Sequence, residues 1–159
     1  PHRYEQFFQR GKDCTVATYS LNADGTIRVF NKAYDKPTNE WSIDVGRAVV
    51  SFPDENPLRG KLNVTFGANA VPDTSNYWIL QTDYTGYAVV VSCTNLPLNR
   101  SAESYWLLSR TKVVSPEGRI TADAVIDTQL DRNLVRTTVQ ENCPEPPPDP
   151  TNYRTVDRV

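Results

Sequence analysis

The chain has 159 residues, enough for one domain with one hydrophobic core. Its 19 acidic residues nearly balance 17 basic ones, so no strong field makes nucleic acid or an anionic membrane a default partner. No apolar run approaches the roughly 20 residues of a membrane-spanning helix, and the start does not read as a charged region followed by an apolar one.

Short β-rich runs broken by turn signals recur from Cys14 to Thr111, the pattern of an all-β sandwich or barrel. The first, over 14–21, ends at Asn22-Ala23-Asp24-Gly25, where Asp-Gly supplies the positive φ of a tight hairpin. A second run covers 26–34, and a turn over 35–39 containing Pro37 leads to a third over 40–51. A loop over 52–59 with Pro53 and Pro57 precedes a fourth run over 60–67, and a loop through Pro72 precedes a fifth over 77–83. Tyr84-Thr85-Gly86 turns the chain into a sixth run over 87–93, and a loop over 94–104 leads to a seventh over 105–111.

Short connections favour an antiparallel up-and-down meander. Residues 116–134 then carry Ile120, Ala124, Ile126, Leu130 and Leu134 at nearly helical spacing, with Ser115 as cap and Pro116 at the first position. One helix is expected there, starting near Pro116 and ending before Leu134. A short strand is expected within 134–139. Residues 1–143 read as the domain, and 144–159 as a Pro-rich, disordered tail. A meander with one helix suggests a closed barrel packed against that helix, and an eight-stranded barrel has room for one small ligand. Seven strands leave an opening one strand wide, which points to a segment before Pro1.

Enzymatic chemistry needs a nucleophile and base, a carboxylate pair or a metal held in mutual reach, and none is visible. The single histidine, His2, reads as a solvated loop residue, and Cys14, Cys93 and Cys143 are too widely spaced for an ordinary zinc site. No cofactor is expected. Two sequons, at Asn63 and Asn99, could carry glycans in a secretory pathway.

Thr82-Asp83-Tyr84 between the fifth and sixth runs, Arg110 at the end of the seventh and the helix after it resemble two of the three signature regions of the lipocalins. The stretches 14–21, 77–84, 87–93 and 138–144 are similar to the apolipoprotein D, Lazarillo and bilin-binding branch, and the resemblance runs from about Pro1 to Pro144. The family's Gly-x-Trp on its first strand has no counterpart, so the resemblance implies a barrel with seven of eight strands present. It also implies a Cys14–Cys143 disulfide, leaves Cys93 without its N-terminal partner, and removes the tryptophan over which Arg110 packs. Its functional implication is a secreted, extracellular carrier of a fatty acid, sterol, retinoid or bilin. A cell-surface receptor or a lipoprotein is an implied partner. The rival expectation is a secreted protein-interaction module using the barrel-mouth loops.

In a meander the turns alternate between two ends, so the loops 35–39, 68–76 and 94–104 share one end with the segment before Cys14. The tight hairpins share the other, which makes the first end the mouth. A glycan on Asn63 must face water, and alternation then turns Leu62, Val64 and Phe66 inward. By resemblance Tyr19, Asn31 and Trp106 also point inward, carrying Ala17, Ile27, Val29 and Leu108 with them by parity. Tyr77 and Trp78 compete for one inward position, and on the third run either Gly46 and Ala48 face inward together with Asp44 or none of them does. The expected ligand set is Tyr19, Val29, Asn31, Val64, Phe66, Tyr77 and Trp106, although alternation fits a filled core as well as a pocket.

Overall fold

The computed structural model describes residues 2–4, 9–67, 75–96, 98 and 100–149. Among these residues nine strands form one antiparallel sheet: β1 (His2–Tyr4), β2 (Lys12–Leu21), β3 (Ile27–Asp35), β4 (Glu40–Val50), β5 (Lys61–Phe66), β6 (Tyr77–Thr82), β7 (Tyr87–Leu96), β8 (Arg100–Ser109) and β9 (Val135–Thr137). Their order in the sheet is β2-β3-β4-β5-β6-β7-β8-β1-β9, so the meander from β2 to β8 is unbroken. The sheet curls into a half-barrel with one helix, α1 (Pro116–Gln129), on its outside.

The seven expected strands are present, with two corrections of extent. The loop expected over 94–104 is largely strand, because β7 and β8 pair continuously from Tyr87↔Ser109 to Leu96↔Arg100. Ser101, Ala102 and Ser104 have weak strand preference, but ladder hydrogen bonds come from the backbone and need none from the side chain. His2, expected as a loop residue, lies in β1, which pairs with both β8 and β9. His2 is therefore buried, not solvated, and its Nε2 accepts from Arg119 at 2.8 Å. Burial, followed by the Arg119 charge, lowers its pKa.

Local chemistry sets the turns. Gly25 takes φ +81° and Asp24 accepts from Thr26 N at 2.9 Å, which closes the β2–β3 hairpin. Ser115 Oγ accepts from Gly118 N at 3.1 Å and caps α1, with Pro116 in its first turn. The helix buries only part of the face expected of it: Ile126 is buried and Leu130 packs against the core, but Ile120 is 71 % exposed and Ala124 and Leu134 are exposed, while Gly118 and Ala122 face the sheet instead. The reason is close approach. A Cβ on Gly118 would lie 2.8 Å from the Tyr87 ring, so the helix sits down on its smallest residues.

Among the described residues the main apolar cluster consequently lies outside the curl, where Tyr4, Val89, Tyr105 and Leu107 pack against Ala122 and Ile126. The Tyr4 and Tyr105 rings are 5.6 Å apart, and the Tyr4 hydroxyl accepts from Asp131 N at 2.7 Å.

The start of β2 is joined to the chain after β9. Cys14 and Cys143 form a disulfide with Cα atoms 5.6 Å apart. Cys14 N donates to Val139 O at 2.9 Å, and Val139 N donates to Asp13 Oδ1 at 3.0 Å. Asp13, 2 % exposed, also takes Arg136 at 3.1 Å and Lys36 at 2.9 Å. Cys93 is a free, exposed thiol. Beyond the disulfide, Lys32 holds the chain against the outer face of β3 by donating to Pro147 O at 2.7 Å and pairing with Asp149. Residues 68–74 and 150–159 and Asn99 lie outside the described residues, and so do the mouth-loop, tail and sequon expectations that fall on them.

Candidate ligand-binding trough

The ladder register decides which side chains share the concave face. Tyr19 pairs with Val29, and Ala17 with Asn31. Val29 faces Gly46 and Asn31 faces Asp44. Gly46 then meets Phe66 and Ala48 meets Val64. Leu62 pairs with Tyr77, and Val90 with Trp106. Partners in a ladder project to the same side, so these residues line one face and Asn63, paired with Val49, lies on the other.

Two ambiguities are thereby resolved. Tyr77 takes the inward position, while Trp78 pairs with Lys61 on the outer face, its ring 4.3 Å from the Lys61 ammonium and its indole N–H bonded to Ser75 O. Asp44 does share the face of Gly46 and Ala48, and it remains exposed at the upper wall.

Three of the expected residues meet across the interior. The Tyr19 and Tyr77 hydroxyls are 3.1 Å apart, and the Tyr77 ring stacks on Trp106 with centroids 6.1 Å apart and planes inclined by 23°. Burial pushes both phenol pKa values up, so the pair stays neutral. Tyr19 is nonetheless 46 % exposed and Phe66 44 %, and that exposed surface opens onto the concave side. Asn31 and Val64 are half-buried on the same face, whereas Val29 is buried within the wall at 2 %.

Gly46 is a residue that periodicity alone does not single out. A Cβ there would lie 2.6 Å from Thr65 O and 2.8 Å from the Phe66 ring, so only glycine leaves that ring its seat. Among the described residues, a cleft of about 220 Å³ beside the disulfide and another of about 390 Å³ along 58–60 and β6 lie apart from the aromatic cluster. The cluster belongs to an open trough.

In the turn between β6 and β7, Asp83 accepts from the backbone N–H groups of Thr85, Gly86 and Tyr87 at 3.0, 2.7 and 3.0 Å, which folds Tyr84 into φ +64°. Those bonds hold its carboxyl at a pKa of about 2. The Thr-Asp-Tyr motif is thus a turn device. Arg110 is exposed, and its backbone N–H bonds Gly86 O at 3.0 Å.

The sequence profile of the Lipocalin-like domain matches residues 2–129. Apolipoprotein D of Mus musculus is 35 % identical over 142 residues, covering 87 % of this chain and 70 % of that protein. The Lazarillo protein of Schistocerca americana is 36 % identical over 138 residues, covering 84 % and 61 %. Insecticyanin from the tobacco hornworm Manduca sexta superposes with a TM-score of 0.69 at 22 % identity, over 87 % of this chain and 74 % of its own. Lobster apocrustacyanin A1 gives 0.68 at 16 % identity, over 87 % and 73 %.

Proposed function

The chain belongs to the lipocalin family, whose members bind and transport small hydrophobic molecules, and from that premise we propose that it is an extracellular carrier holding such a molecule in its trough. The observation that carries this reading is the convergence of Tyr19, Tyr77 and Trp106 on the concave face, with Phe66 seated over Gly46. Aromatic and aliphatic walls with few polar groups suit a ligand of the fatty acid, sterol, retinoid or bilin class. Asn31 and Val64 complete the contact set, and Val29 supports it from within the wall. Each Å² of apolar ligand surface removed from water contributes about 25 cal/mol, less the cost of immobilisation, which permits micromolar binding.

The Cys14–Cys143 bridge favours an oxidising compartment. Asn63, on the outer face, is a position at which a glycan would project away from the trough. Titration with retinol, read by quenching of tryptophan fluorescence, tests the carrier reading. Saturable quenching that weakens in Trp106→Ala and Phe66→Ala is expected. Binding unchanged in both variants, or none to the parent protein, would overturn it.

A further inference from the structure

The charges along the trough discriminate among hydrophobic ligands. On the side of the mouth, the concave face carries Asp35, Glu40 and Asp44, each placed there by pairing with Lys12, Asp35 and Asn31 respectively. Among residues whose side chains are described, the register assigns three cations to this face: Lys12, Arg3 and Arg136. Each is engaged. Lys12 Nζ donates to Ser42 Oγ at 3.0 Å, in a wall where its ladder partner is Asp35. Arg3 is only 1 % exposed, and its guanidinium donates to the carbonyls of Gln9 and Lys12. Arg136 is held by both oxygens of Asp13 at 3.1 Å.

The polar groups that the register adds below are all neutral: the two hydroxyls of Tyr19 and Tyr77, bonded to each other, those of Ser92 and Ser104, paired across β7 and β8, and the indole N–H of Trp106; around the tyrosines lie Val29, Ala48 and Val90, all at most 2 % exposed. An ionised carboxylate loses hydration on entering such a trough. It recovers the loss only where a cation or several donors meet it. A hydroxyl or carbonyl loses far less and can be satisfied by one amide or one phenol.

We propose that the trough selects neutral ligands bearing a hydroxyl or carbonyl over ligands bearing a carboxylate, with the polar head beside Asn31 and Asp44 and the body against Tyr19, Phe66, Tyr77 and Trp106. This rests on the carrier reading and narrows it. The acidic wall repels an anionic head at the upper position, and the neutral tyrosine pair offers no counter-charge at the lower one. Burial raises both phenol pKa values, which is the same penalty on negative charge expressed by the protein's own groups.

Retinol and retinoate share one hydrocarbon body and differ at the head, so their dissociation constants at neutral pH isolate the effect. Retinol is expected to bind at least about tenfold more tightly, and Asp44→Lys, an exposed substitution, is expected to bring the two within about threefold of each other. Equal affinities, or tighter retinoate binding, would overturn the selectivity while leaving the carrier reading intact. A retinol preference that survives Asp44→Lys unchanged would overturn the placement of the head group. Failure of both probes to bind would remove the carrier reading and the selectivity together.

Discussion

The hydroxyl oxygens of Tyr19 and Tyr77 lie 3.1 Å apart although β2 and β6 are four places apart in the sheet order. Only a curled sheet brings them together, so this hydrogen bond braces the trough across its interior. Burial is the leading reason that both pKa values lie above the ordinary tyrosine value of 10.0. A group whose folded pKa is raised contributes stability that is fully present below its unfolded pKa and is lost as pH rises toward the folded value. Thermal midpoints are therefore expected to fall above about pH 10. The Tyr19→Phe/Tyr77→Phe double variant should lose less over that range, and an unchanged alkaline slope would contradict this account.

Asp13 behaves with the opposite sign. Its burial would raise the pKa, but the Lys36 and Val139 hydrogen bonds and the Arg136 charge together lower it. Stability from this clasp is present above the unfolded carboxylate pKa and is lost as pH falls through the folded one. Asp13→Ala removes the acceptor of Val139 N–H and the carboxylate shared by Arg136 and Lys36, a loss on the order of 1–3 kcal/mol at neutral pH, with a flatter acid limb in urea unfolding.

The disulfide closes a loop with a sequence separation of 129 between Cys14 and Cys143. In the chain-entropy description this stabilises the fold by about 5 kcal/mol, an upper figure because the seam hydrogen bonds also restrain the reduced chain. Reduction, or Cys143→Ser, should lower the urea midpoint markedly. Cys93→Ser should leave it unchanged, since that thiol is free and exposed.

Two substitutions test how closely α1 approaches the sheet. Ile126→Ala removes a side chain with 0 % exposure and should cost about 2–5 kcal/mol. Gly118→Ala, ordinarily favourable in a helix, should instead destabilise by about 1–3 kcal/mol because its Cβ meets Tyr87 at 2.8 Å. A stabilised Gly118→Ala variant in thermal unfolding would show that the helix can lift off without loss.

The Asp83 turn offers a direct titration. Its carboxyl resonance should move near pH 2 in the folded protein, depressed by the backbone donors of Tyr87, Gly86 and Thr85. A midpoint in the ordinary aspartate range near 4 would mean that those donors are not engaged in solution.

Much of the framework is legible in local chemistry. Asp24-Gly25 specifies a turn through positive φ, Ser115-Pro116 starts a helix, and alternation along 61–66 keeps Val64 and Phe66 together, opposite Asn63. The signature stretches supplied the family, and with it the cysteine pairing. What local patterns could not supply were choices between two equivalent faces. Tyr77 and Trp78 are both large aromatics at adjacent positions, and only the Leu62↔Tyr77 pairing sends one inward. Asp44 shares the concave face because register is common to a whole strand and one exposed carboxylate is too weak to shift it. On α1 the spacing placed Ile126 correctly, while close approach put Gly118 and Ala122 against the sheet in place of Ile120 and Ala124. The seam joining Asp13 and Cys14 to Arg136, Val139 and Cys143 brings together residues more than a hundred positions apart, a relation that no local period encodes. Sequence period fixes which residues alternate, whereas long-range ladder pairing and steric fit decide which alternate set faces the ligand.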